Sequence, residues 1–367
     1  MEKYRKQIIK LAAAAVLALL SWGFVAAARK TPSTVDWYRP VSKGISGILG
    51  RLFSFMPYSA AEFLLYAGIL LGLFLLIRAI VRLVRVDKGH RGENLLRYLA
   101  NILLTGSILL TAFLCFWGIN YFAPPLADRI GLTVRQYTAE ELYETAYAAV
   151  EKTNEYAVQV NRDENGVADL GSFDFLARTA CESYESLSQD NPVFAGIYSK
   201  PKKVTAWIAM AKSHISGIYF ALTGECNVNP DLVSVELPFT MAHEMAHRLS
   251  VAPEDEANFT AFLACRASDS TAFNYSAYLH AYLYTTNALG SVDAERQGEL
   301  WNLLCPEAQA DIRAMNEYYY RYEGPISEMA TAMNDTYLKT MRQTDGVKSY
   351  GMVADLLIAE YLQNGGL

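Results

Sequence analysis

The chain is short of the residues that most often mark a functional site. Among 367 residues it has 5 histidines and 5 cysteines, and no two cysteines are spaced C-x-x-C, which argues against a cysteine-built zinc site. Charge is also scarce, at 19% of residues, and it is unevenly spread. Residues 1–123 carry 15 Lys+Arg against 5 Asp+Glu, whereas residues 124–367 carry 17 against 33. A second half this acidic repels phosphate, so nucleic acid is excluded as a partner. No internal repeat and no low-complexity segment interrupts the chain, which speaks against a solenoid or a long disordered linker.

What the sequence has in excess is apolar residues, 52% of the chain. They concentrate in three runs, Leu11–Ala28, Ser59–Ile77 and Tyr98–Phe122, each close to the ~20 residues a helix needs to cross hydrocarbon. These predict a membrane domain over residues 1–123, with spans at about 8–28, 59–80 and 98–122 and the lipid bilayer as a partner. The first run also has the basic front and the small-residue end, Ala26-Ala27-Ala28, of a secretory signal peptide; the two further spans anchor the chain in either case. Lys3, Arg5, Lys6 and Lys10 precede the first span, and Arg78, Arg82, Arg85, Lys88, Arg91 and Arg97 separate the second from the third. The first loop carries the smaller set Arg29, Lys30, Arg39, Lys43 and Arg51. The positive-inside rule then predicts a multi-pass membrane protein with a cytoplasmic N-terminus and an extracytoplasmic domain over residues 124–367. Outside the cell, Cys181, Cys226, Cys265 and Cys305 have two options, a pair of disulfides or free buried thiols.

The second half reads as mainly α with a small β-sheet. T-x-x-E at Thr138–Glu141 is a capping box that opens a helix. A loop, NRDENGVADLGS, separates it from a second helix over FDFLARTACESYESLS. KVTAWIAM and GIYFALTGEC, rich in β-branched and aromatic residues, predict two strands. Helices are expected to begin near Pro238 and near Pro253, then to run over about 271–289, 294–304, 307–321, 326–342 and 350–363. Within this plan Ile218–Cys226 is a candidate edge strand that aligns an extended substrate, with Glu225 and Asn227 facing a cleft. The tyrosine-rich stretch 318–322 reads as a packed helix face and Arg248 as a surface charge.

The chemistry is concentrated in MAHEMAHRLSVAPEDEANF, residues 241–259. His243-Glu244-x-x-His247 is the H-E-x-x-H pattern: two histidines one helical turn apart share a face and bind one metal ion, and the glutamate beside the first acts as general base on a metal-activated water. A third ligand is required. Position 253 is Pro, which excludes the pattern with a third histidine six residues on. His90, His214 and His280 are the other histidines. A more attractive source is the acidic cluster Glu254-Asp255-Glu256, because Pro253 suits a helix start and Leu249–Ala252 is short enough to fold the new helix back on the motif.

Glu254-x-x-Ala257-Asn258 resembles the E-x-x-A-D of the integral-membrane gluzincins of the CAAX-protease kind. That resemblance implies Glu254 as the Zn²⁺ ligand, with Asn258, in place of Asp, orienting the first histidine. The gap from His247 is shorter than gluzincins have, which keeps Glu256 as the alternative ligand. Across most of the chain, the three N-terminal spans together with TGECNVN, PFTMAHEMAH, EDEANFTAFLAC, NDTYLK and GVKSYGMVADLL resemble a family of bacterial membrane proteins described only as a domain of unknown function and regarded as zinc metallopeptidases. The resemblance implies a zincin-like fold, a bacterial cell-membrane location, and peptide or protein substrates. Tyr275, Tyr337, Lys339 and Tyr350 are the candidates for the electrophile that steadies an oxyanion. The competing expectation is a zinc-binding membrane sensor with the same fold and no hydrolytic activity.

Overall fold

The computed structural model describes residues 4–341 and 350–367. Three helices are long and apolar enough to cross a membrane: α1 (Arg5–Lys30), α3 (Ala60–Arg85) and α4 (Arg91–Phe116). Each has 26 residues, about 39 Å of helix against ~30 Å of hydrocarbon. None of the most apolar stretch of α3 is buried by protein, so its leucines and isoleucines have only lipid to cover them. The third span lies earlier in the chain than the 98–122 expected, starting at Arg91. It ends at Phe116, and Gly118–Phe122 forms a tight helical turn that is wholly buried.

The loop between the first two spans holds a helix that the sequence reading missed, α2 (Ser33–Phe53). Pro40 and the glycines at 44, 47 and 50 argue locally against a helix. Two of them serve contact instead: a Cβ on Gly47 would come within 2.7 Å of Ile197 Cβ, and one on Gly50 within 2.6 Å of the Gly224 carbonyl oxygen. Through them α2 lies against the C-terminal half, where Tyr219 and Ser46 hydroxyls are 2.8 Å apart. The first loop and the C-terminal half are therefore packed together.

After the spans come α5 (Leu126–Ile130), α6 (Ala139–Ala157), α7 (Phe173–Asp190), β1 (Lys202–Lys203), α8 (Trp207–Lys212), β2 (Gly217–Phe220), β3 (Glu225–Val228), α9 (Leu237–Arg248) and α10 (Glu254–Arg266). Then follow α11 (Thr271–Gly290), α12 (Ala294–Leu303), α13 (Pro306–Arg321), α14 (Pro325–Thr340) and α15 (Tyr350–Asn364). The mainly helical expectation holds, and so does the capping box: Glu141 N–H donates to Thr138 Oγ1 and Thr138 N–H to Glu141 Oε2.

The sheet departs from expectation. KVTAWIAM is a two-residue strand followed by a helix, and GIYFALTGEC is two strands joined by a turn at Gly224, φ +64°. The order is β1-β3-β2, with β2 antiparallel to β3 and, among the described residues, without a strand partner on its other edge. Glu225 does not face a cleft. Its carboxylate accepts from the Ala60 and Ala61 N–H groups at the start of α3, and Lys202 Nζ sits 2.5 Å away. This buried pair pins the second span to the sheet, and removing one partner would cost roughly 3–5 kcal/mol. Asn227 turns to the Ile218 and Glu225 carbonyls. Arg248 is buried rather than on the surface, donating to Gly224 O and Ser199 O.

The core centres on α9, which packs against α7, α10, α11 and the sheet. Met241, Ala242, Met245 and Ala246 fill its inner face. All five cysteines are free, so the disulfide option fails. Cys226 and Cys265 instead sit beside α9, their thiols against Glu244 O and Pro238 O.

Candidate metal centre

The cleft-facing stripe of α9 runs Glu236, Thr240, His243, Glu244, His247, the spacing of one helical face. After Arg248 the chain turns through Ser250, held at φ +65°, and α10 begins at Glu254. That tight return brings the carboxylate of Glu254 between the two imidazoles. Glu254 Oε2 is 3.3 Å from His243 Nε2, and Oε1 is 3.6 Å from His247 Nε2. Among the described residues these three form the one group of His, Cys, Asp or Glu side chains placed to hold a metal together, their ligand atoms all within 4.8 Å.

Both imidazoles are held from behind. Asn258 Oδ1 accepts from His243 Nδ1 at 2.8 Å, and the Val251 carbonyl accepts from His247 Nδ1 at 2.8 Å. With both Nδ1 atoms engaged, both Nε2 lone pairs are left for a ligand. A tetrahedral Zn²⁺ with bonds of 2.0–2.1 Å sets neighbouring ligand atoms about 3.4 Å apart, close to the two separations here. The donor set N, N, O and its spacing fit zinc.

Burial presses on every charge in this group. It works to depress His243, but the hydrogen bond to Glu254 and the nearby carboxylates lift that imidazole to about 8. Burial depresses His247 to about 4. It raises the Glu244 carboxyl to about 8, with His243 opposing. Glu244 lies against the edge strand: a Cβ on Gly217 would meet its Oε1 at 2.5 Å, and the Tyr219 backbone N–H faces the carboxylate. Only glycine at 217 leaves room for that carboxyl.

The remaining expected residues divide. Glu256 points away, accepting from Leu126 N–H at 2.8 Å, with burial raising it to about 8; it anchors the chain after the third span and is not beside the histidines. Tyr337 lines the cleft, packed edge-on against Tyr121. Tyr275 does not: it is fully buried and donates to Asp311, which also pairs with Arg162. Lys339 is exposed and paired with Asp335. Tyr350 begins α15, and its side chain lies outside the described residues. His280 lines the cleft with its Nδ1 given to Ser276 O and its ring stacked on Phe239, apart from the ligand group.

Several cleft residues escaped the sequence reading. Trp117, just past α4, donates from Nε1 to the His247 carbonyl and lays its ring edge-on to the imidazole at 5.7 Å. Gly217 and Glu236 carry no motif, nor does Val251, whose carbonyl backs His247 from outside the cleft. Tyr319 belongs to a stretch read as packing, yet it lines the cleft. The cleft, about 1090 Å³, extends from Leu109 and Phe113 on α4, past His243, Glu244 and His247, to Glu236 and Tyr319.

No curated protein and no solved structure matches the chain. One family model does, described as "Protein of unknown function (DUF3810)", and because it covers residues 37–358 the chain belongs to that family.

Proposed function

We propose that this protein is a membrane-anchored zinc metallopeptidase whose catalytic half lies across the bilayer from a cytoplasmic N-terminus. The observation that carries the reading is the spacing of His243 Nε2, His247 Nε2 and Glu254 at 3.3 and 3.6 Å, with each histidine held from behind and a glutamate next to them in an open cleft. A structural zinc site has four protein ligands; three protein ligands beside a cleft leave one position for water or substrate. Zinc bound there would supply Lewis acidity, activating a water and polarising a peptide carbonyl. Glu244, beside the first histidine, would take the proton from that water and pass it to the departing amine. The free edge of β2 offers backbone groups to an extended peptide. Tyr337, which lines the same cleft, is the candidate to steady the oxyanion.

The test uses the full chain purified in detergent. It is expected to hold about one zinc and to cleave members of a quenched fluorescent peptide library. Glu244→Gln is expected to keep the zinc and lose at least ~10³-fold in rate. An unchanged rate in that variant sinks the mechanism. Zinc-loaded wild type that cleaves no peptide would favour a zinc-binding membrane sensor instead.

A further inference from the structure

The cleft contains a second buried acid, and nothing in the hydrolytic scheme uses it. Glu236 begins the cleft-facing stripe of α9 and is 4% exposed. Its Oε1 accepts from the Tyr319 hydroxyl at 2.7 Å, while its Oε2 is buried with no hydrogen-bond partner. Tyr319 also touches His214, whose ring meets it edge-on at 5.5 Å and whose Nε2 is likewise unpartnered. Burying a carboxylate oxygen without a donor is costly, and such a cost is tolerated in a binding cleft where a ligand supplies the donor.

The charge of the cleft says which ligand. Its lining holds three carboxylates, Glu236, Glu244 and Glu254, and no lysine or arginine among the described residues. A zinc ion held by the two histidines and Glu254 would offset charge at one end. Glu236 has no such counter-charge. Burial pushes the Glu236 carboxyl up to about 7, against the Tyr319 hydroxyl, which donates to it and favours the ionised form; the group carries its charge above that pH.

We infer that Glu236, with Tyr319 and His214, forms a subsite for a cationic group of the substrate, an ammonium or guanidinium, about three residues from the scissile bond. The inference rests on the peptidase reading for its geometry. Glu236 and His243 are seven residues apart on one helix, about 10 Å. An extended peptide advances about 3.3 Å per residue, so three residues span the gap. The turn leading into β2 runs the same way: Gly217 lies against Glu244, and His214, three residues earlier, packs against Tyr319. The cation has two sources, a Lys or Arg side chain or a free peptide amino terminus.

The experiment takes zinc-loaded full-length protein and peptides with Lys, Arg, Glu, norleucine or Gln at each position, the amino terminus free or acetylated. Cleavage is measured with wild type and binding with Glu244→Gln. Lys or Arg three residues from the cut is expected to raise kcat/KM and affinity about tenfold or more over norleucine. If acetylation alone abolishes the preference, the cation is the terminus. Glu236→Gln should bring the ratio close to one, Tyr319→Phe should reduce it, and Glu236→Lys should invert it toward acidic residues; zinc content reports whether each variant is folded. Equal handling of cationic and neutral peptides by a protein that cleaves them overturns the subsite and leaves the peptidase standing. Cation-selective binding without any zinc-dependent cleavage overturns the peptidase and leaves the subsite. Neither binding nor cleavage of any peptide overturns both.

Discussion

The two ends of the α9 stripe are built from the same materials to opposite effect. At the C-terminal end, His243, His247 and Glu254 face one another, and Asn258, Val251 and Trp117 fix them from behind. At the N-terminal end, Glu236 and His214 share a neighbour in Tyr319 yet keep unpartnered atoms. One end is an array of ligand atoms converging within 4.8 Å of one another. The other leaves a buried charge unmet, and so points outward to a substrate. Converging polar groups make a cofactor site, and leftover ones make a recognition site.

The sharpest way to break this contrast is to swap which carboxylate is lost. Glu254→Ala is expected to abolish stoichiometric zinc, measured by metal analysis. Glu256→Gln, two residues on, should leave zinc unchanged, because its partner is the Leu126 N–H and an amide oxygen accepts that bond equally. Equal zinc loss in both would undo the assignment of the ligand. Next, Gly217→Ala should keep zinc but slow hydrolysis about 10²-fold, since a Cβ 2.5 Å from Glu244 Oε1 pushes the base off position. Single-turnover kinetics at saturating peptide would show it.

The mildest effect concerns stability at the other end. Burial raises the Glu236 carboxyl from its ordinary 4.5 to about 7. The folded chain therefore binds this proton more tightly than the unfolded chain, and ionisation penalises folding increasingly as pH rises from about 4.5 through 7. Above pH 7 the penalty is complete, at most about 3 kcal/mol. Glu236→Gln should thus melt higher than wild type at pH 8, by a few degrees, and no higher at pH 4.5. A shift of equal size at both pH values would show that the carboxyl is not held in its neutral form by burial.

Much of this was legible in the chain itself. Three apolar runs determined three helices able to cross a membrane, because length and hydropathy are local properties. The i, i+4 spacing of His243 and His247 determined their shared face, and Pro253 determined where the next helix starts. Thr138 and Glu141 specified their cap within four residues.

The tertiary structure decided what depends on contacts between distant segments. Glu254 and Glu256 are equivalent by composition, and only the return of α10 over α9 turned one to the histidines and the other to Leu126. The glycines of α2 looked like helix breakers until their neighbours, Ile197 and Gly224, showed that they admit backbone at close range. Arg248 looked like a surface charge until the Gly224 and Ser199 carbonyls took its guanidinium. Trp117, Gly217 and Glu236 had no pattern to betray them, since a residue acquires a role in a cleft only when folding brings its far-off wall into place.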